Sequence, residues 1–259
     1  MSSEAPESAP QDEDRPLLAH LLELRTRLMH SAGVVLVLFL VAYPFREPIY
    51  SALAGPLMAV LPEGATMIAT QVATPFLIPL KVALVGAFFA SVPYLLYQLW
   101  SFVAPGLYRH EKKLVWPLLI SSIILFYAGM AFAYFVVFPL IFEFFAAATP
   151  DGVSMMTDIG EYLSFIMTLF FAFGASFEVP IATILLVRSG ATTRQALAAK
   201  RPYVIVGAFT VGMLLTPPDV ISQVLLAVPV WLLFELGIFF SRWFTPPANE
   251  ASDDAASGD

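Results

Sequence analysis

The stretch YLSFIMTLFFAFGASFEVPIATILLV, residues 162–187, holds a single charged side chain, Glu178, in an otherwise apolar run. As a helix it rises roughly 39 Å at 1.5 Å per residue, more than the ~30 Å hydrocarbon core of a bilayer. A segment of this kind reads as a membrane span, and it places Glu178 about 14 Å from the inner end, close to mid-membrane. A charge at that depth costs at least a few kcal/mol unless it is neutralised, hydrated or hydrogen-bonded.

The rest of the chain agrees with a membrane reading. Of 259 residues, 59% are hydrophobic and 13% charged, with 23 Phe; soluble domains average about 45–50% and 25%. Five further apolar segments accompany the first, giving expected spans at 28–43, 76–100, 114–138, 162–187, 203–215 and 221–240. The fifth is short, since thirteen residues reach only about 20 Å, and either the helix starts earlier, near Lys200, or the bilayer thins around it. The fold expected is an all-α polytopic membrane protein of six transmembrane helices. Residues 1–16 and 245–259 are acidic, rich in Ala, Ser and Pro, and are expected to be flexible flanks of one membrane domain, 17–244.

Basic residues orient the spans. Arg15, Arg25, Arg27, Arg109, Lys112, Lys113, Arg188, Arg194, Lys200, Arg201 and Arg242 fall on one side of six spans, and only Arg46 and Lys81 on the other. That asymmetry places both termini in the cytoplasm. No small-x-small cleavage site follows the first apolar run, so it is expected to stay as a span.

The loops carry local signals. In AGPLMAVLP a short helix is expected between Pro56 and Pro62, packed as a cap over the outer face. Asp158 of DIGEY is expected to cap the fourth span, and Ser222 or Asp219 the sixth. Ahead of the first span, Leu17, Leu21, Leu24 and Leu28 form an amphipathic face, with Glu23 and Arg27 spaced to pair.

Several function classes drop out. Cysteine is absent, and His20, His30 and His110 have no metal-ligand spacing. There is no glycine-rich phosphate loop. No catalytic residue, metal or cofactor is therefore expected, and the acidic flanks would repel nucleic acid. Glu178 has two readings of equal weight: a proton or ion relay, or a polar anchor that keeps a hydrated indentation on the protein. Glu143 reads as reaching outer interfacial water, and Glu235 as approaching the inner interface. On the basic side, YQLWSFVAPGLYRHEKK combines Phe102, Tyr108 and Glu111. With Glu23 at the same face, two acids and an aromatic surface could receive an arginine-bearing apolar peptide.

HLLELRTRL, TMIATQVATPF, YQLWSFVAPGLYRHEKK, FYAGMAFAYFVVFPL, SFEVPIA and VGMLLTPPDVISQ, in this order and spacing, resemble TatC, the multi-spanning core component of the twin-arginine protein translocase. The resemblance covers Leu17 to Phe244. It implies a concave, cup-like arrangement with shortened fifth and sixth helices, in the bacterial inner membrane. It implies a receptor for twin-arginine signal peptides of folded cargo, driven by the proton-motive force. Partners would be TatA- and TatB-type single-span proteins, membrane lipid and further copies of the chain. By the same resemblance, Glu111, Phe102 and Glu23 would bind the signal peptide. Glu178 would be the polar residue of the concave face, Met213 and Leu214 a partner contact, and Asp219 and Gln223 part of the outer turn. The rival from the residues alone is a proton-coupled small-solute transporter using Glu178, or a membrane scaffold indifferent to signal peptides.

Overall fold

A computed structural model describes residues 14–60, 67–103, 115–150, 156–215 and 220–244. They form ten α-helices: α1 Asp14–Ala42, α2 Arg46–Met58, α3 Thr74–Val103, α4 Val115–Phe132, α5 Phe138–Ala148, α6 Ile159–Ser176, α7 Val179–Arg188, α8 Arg194–Ala199, α9 Arg201–Leu215 and α10 Val220–Ser241. A 3₁₀ turn, Tyr43–Phe45, joins α1 to α2, and a π-helical turn, Ala133–Val137, joins α4 to α5. Among the described residues five helical stretches are long and apolar enough to cross a membrane, and Arg201–Leu215 is a shorter sixth.

The last four spans depart from the sequence reading. The third span does not end at residue 138, because α4, the π turn and α5 form one apolar rod to Ala148 that carries Glu143 exposed in its last turns. The fourth is broken at Phe177–Glu178 between α6 and α7. Pro180 sits near the start of α7, where its missing N–H cannot continue the ladder. The fifth starts at Arg201, so its 15 residues rise only about 22 Å. The sixth corrects the expectation of a shortened pair: its 22 residues rise about 33 Å, enough to span. Val220 and Ser241 extend the apolar run, and Ser241 Oγ donates to the Ile238 carbonyl of its own helix, so the hydroxyl does not end it. Ser222 likewise lies inside α10 rather than at its cap, and Asp219 falls outside the described residues.

The loop helix also departs from expectation. It runs from Arg46 to Met58 with Pro56 inside it, not at its start. Proline at 56 cannot donate to the Ala52 carbonyl, four residues back. The Tyr134 hydroxyl donates to that carbonyl instead, at 2.9 Å, and the Tyr162 hydroxyl donates to the Leu53 carbonyl at 2.7 Å. Pro93 inside α3 frees the Phe89 carbonyl in the same way, and the Tyr127 hydroxyl donates to it at 2.9 Å. In a hydrocarbon environment a carbonyl without a donor costs several kcal/mol, so these tyrosines are what make two mid-helix prolines tolerable. They also fix α2 against the π turn and α6, and α3 against α4.

The largest core lies where α2, α3, α5 and α6 meet. Leu57, Val82, Phe138, Ile141, Leu163, Ile166, Leu169 and Phe173 are essentially inaccessible there. The rings of Phe138 and Phe170 meet edge-on at 4.9 Å. The loop helix is thus packed, as expected of a cap. Close helix approach uses glycine: a Cβ on Gly129 would lie 2.5 Å from the Phe173 carbonyl oxygen, so α4 and α6 can pack this closely only without a side chain at 129.

Candidate functional site

The N-terminal half of α1 lies beside the C-terminal end of α3, and one arginine ties them. Arg27 donates through Nε and Nη2 to Glu23 Oε1, at 2.9 and 2.6 Å, one helical turn back. Its Nη1 donates to Gln98 Oε1 at 3.0 Å, and Nη2 also reaches the Ser101 carbonyl at 3.3 Å. Gln98 in turn donates to the Tyr94 hydroxyl at 2.6 Å. The planar guanidinium suits this task, since its donors point in fixed, separate directions. Leu22, Glu23, Thr26, Arg27, His30 and Gln98 together line an open recess of about 390 Å³.

The expected pair of Glu23 and Arg27 is therefore present, and α3 completes it. Both bonds from Arg27 go to Oε1 of Glu23; Oε2 has no hydrogen-bond partner among the described residues. The Ser101 contact places the pair next to Phe102, which is half-buried in the last turn of α3. Glu111 lies outside the described residues. Sequence reasoning missed Gln98 and Ser101, which carry no charge or spacing signal and matter only because α1 and α3 pack antiparallel.

Glu178 sits at the break between α6 and α7. Its Oε1 is fully buried with no hydrogen-bond partner among the described residues. Ser122 of α4, itself completely buried, lies close enough to act on the carboxyl. Ser122 Oγ accepts from the Trp100 indole N–H at 3.0 Å. A buried polar line thus runs Trp100–Ser122–Glu178, from the end of α3 to the interrupted fourth span. Of the states the sequence left open for Glu178, this one is a carboxyl beside a serine, with no cation paired to it among the described residues.

Glu235 pairs with a basic-side residue, in line with its expected approach to the inner interface. Arg201, at the start of α9, grips it with a two-pronged fork: Nε to Oε1 at 2.6 Å and Nη2 to Oε2 at 2.8 Å. The signal was legible only as two opposite charges near the same ends of adjacent spans. At the far end of that hairpin Gln223 donates to the Phe209 carbonyl at 2.9 Å and crosses from α10 to α9. Gly212 faces Gln223 and Leu226 of α10 and Ala208 is buried, whereas Met213 and Leu214 are 58% and 75% exposed. A largely apolar, accessible face on a short helix fits lipid or a partner span.

On the side opposite the basic residues, Asp158 caps α6 as expected and does more. Oδ1 accepts from the Gly160 and Glu161 amides, while Oδ2 accepts from the Thr70 hydroxyl and amide at 2.6 and 2.9 Å. The Ile68 amide donates to the Thr157 carbonyl, and the Ile159 amide to the Ile68 carbonyl. These donors, Thr70 first, pull the Asp158 carboxyl down to about 2. One carboxylate therefore clamps the loop preceding α3 to the loop preceding α6.

Comparison with known proteins follows the same arrangement. Residues 19–229 match the family model described as Sec-independent protein translocase protein (TatC). The chain is 58% identical over 246 residues to the Sec-independent protein translocase protein TatC of Azotobacter chroococcum mcd 1, covering 95% of this chain and 96% of that protein. It is 56% identical to TatC of Escherichia coli strain K12, covering 90% of each. A crystal structure of the twin-arginine translocase receptor TatC superimposes with a TM-score of 0.79 at 38% identity, covering 88% of this chain and all of that one.

Proposed function

This chain belongs to the TatC family, and from that premise we propose that it is the receptor for twin-arginine signal peptides and the organising subunit of a translocase for folded proteins. The observation that carries the reading is the Glu23–Arg27 pair held against Gln98 and Ser101 beside Phe102. Glu23 is already neutralised by Arg27, so it adds no net attraction for a doubly charged motif. An incoming guanidinium can take the place of Arg27 on Oε1 or bond Oε2, while Arg27 stays held by Gln98 and the Ser101 carbonyl. Such an exchange replaces one charge-assisted bond by another and turns Glu23 into a selector for arginine geometry. By the family reading Glu111 supplies the second carboxylate for the paired arginines. Phe102 supplies apolar surface for the segment that follows the arginines.

The remaining assignments rest on the same family reading. Glu178 holds a polar spot on the concave face, and Met213 and Leu214 receive a TatB-type span, with TatA-type proteins joining the same complex. Asp219 and Gln223 shape the outer turn. The chain lies in the bacterial inner membrane with both termini cytoplasmic, in line with eleven of its thirteen basic residues on that side. Glu111→Ala or Glu111→Lys is expected to weaken crosslinking of a twin-arginine peptide without unfolding the protein. Unchanged crosslinking together with normal export would sink the assignment.

A further inference from the structure

An apolar groove with a volume of about 630 Å³ lies between α1 and α3. Its walls are the apolar stripes that include Val35 and Phe39 of α1 and Leu77, Leu84 and Phe88 of α3. The two helices run antiparallel, since Arg27 near the start of α1 meets Gln98 near the end of α3. The groove therefore follows the membrane normal. One charged side chain enters it: Lys81, the only charged residue between Thr74 and Phe102.

Lys81 is seven residues from the start of α3, or about 10 Å along its axis. Its Nζ bonds Ser164 Oγ at 3.3 Å. Among the described residues no carboxylate forms an ion pair with it. A lysine at that depth with only a hydroxyl partner is a cation suited to an anion at the membrane interface. The cation, unpaired among the described residues, favours an anionic headgroup, and the volume suits an acyl chain. Taking each methylene as about the ~30 Å³ of a water, a sixteen-carbon chain fills roughly 480 Å³, which the groove accommodates.

We propose that the α1–α3 groove is a binding site for one anionic phospholipid of the outer leaflet, its phosphate on Lys81 and one acyl chain along the groove. The Lys81 ammonium meets the phosphate oxygens, steadied by Ser164 Oγ, whose own proton goes to the Gly160 carbonyl at 2.8 Å. The chain passes Leu77, Leu84 and Phe88 toward the middle of the membrane. This lipid would wedge α1, none of whose described residues is fully buried, against the rest of the fold. The site is separate from the Glu23 recess and does not depend on the receptor reading.

The test uses the full chain in detergent, exchanged with phosphatidylglycerol or phosphatidylcholine of identical acyl chains and read by native mass spectrometry. The first phosphatidylglycerol is expected to bind about tenfold more tightly than phosphatidylcholine. Lys81→Gln should abolish that preference and Lys81→Arg keep it. Leu84→Trp, which fills the groove, should weaken both lipids, and Leu84→Phe serves if the tryptophan variant does not fold. Excess inorganic phosphate should not displace the lipid. Equal binding of the two lipids by the natural sequence, a preference that survives Lys81→Gln, or displacement by phosphate would each overturn the proposal. A photo-crosslinker at Leu84 in native membranes should yield lipid adducts; protein adducts alone would show a polypeptide in the groove and refute it.

Discussion

Replacing Gly237 by alanine pushes a methyl group into the tight crossing of α7 and α10. A Cβ at 237 on α10 would overlap the Thr183 Oγ1 atom of α7 and lie 2.9 Å from the Pro180 Cα atom. Thr183 cannot swing away without cost, because its hydroxyl donates to the Pro180 carbonyl at 2.7 Å and its side chain is buried. The contact with Pro180 is to backbone, so α7 and α10 must separate. Overpacking of this kind costs about 1–3 kcal/mol. For a chain of this size each kcal/mol moves the midpoint by about 2–4 °C, so a fall of roughly 2–12 °C is expected. Gly207 on α9 is the matched control, since a Cβ there meets nothing within 4 Å. Gly207→Ala should raise the midpoint by about 1–4 °C, as removing a helix-interior glycine gains about 0.5–1 kcal/mol. The assay is thermal unfolding of both variants in one detergent. A Gly237→Ala protein as stable as the natural sequence, or a Gly207→Ala protein that falls equally, would refute the packing argument.

Three further outcomes follow from the structure. Glu178→Gln should retain most export, whereas Glu178→Ala should lower export and cost about 1–3 kcal/mol of stability, because alanine leaves the buried Ser122 hydroxyl facing a void; equal loss in both variants, measured as cargo export, would point to a proton relay. Because the folded Asp158 carboxyl sits near 2, below its usual 3.8, its clamp stabilises the outer loops above about pH 4 and is lost as pH falls through 2; thermal midpoints of the natural sequence and Asp158→Asn should differ at neutral pH and converge toward pH 2. Tyr127→Phe should cost about 1–3 kcal/mol where Pro93 leaves the Phe89 carbonyl free, and clearly less in a Pro93→Ala background, where the restored N–H takes that carbonyl; an additive double-mutant cycle would contradict the pairing.

Six apolar segments and the clustering of eleven basic residues were readable because a bilayer imposes length and charge rules on sequence directly. The Glu23–Arg27 pair and the Asp158 cap were readable because both are local. What escaped was set by packing between distant helices. Pro56 reads as a boundary until Tyr134, 78 positions on, supplies the donor its helix lacks. The same holds for Arg201 with Glu235, for Gln98 with Arg27 and for Ser122 between Trp100 and Glu178. The sixth span is expected to be short only through the family resemblance, whereas residues 221–240 alone already rise about 30 Å and α10 extends them by one residue at each end. The role of Glu111 rests on family motif alone, because it lies outside the described residues.

The most direct test is site-specific photo-crosslinking in native membranes, with probes at Phe102, Glu111 and Met213 and a cargo bearing a twin-arginine signal peptide. Adducts from 102 and 111 to the signal peptide, lost when its two arginines become lysine, together with adducts from 213 to a single-span partner, are the predicted result. Adducts from 102 and 111 that are indifferent to the arginines, or none at either position while export proceeds, would contradict the receptor account.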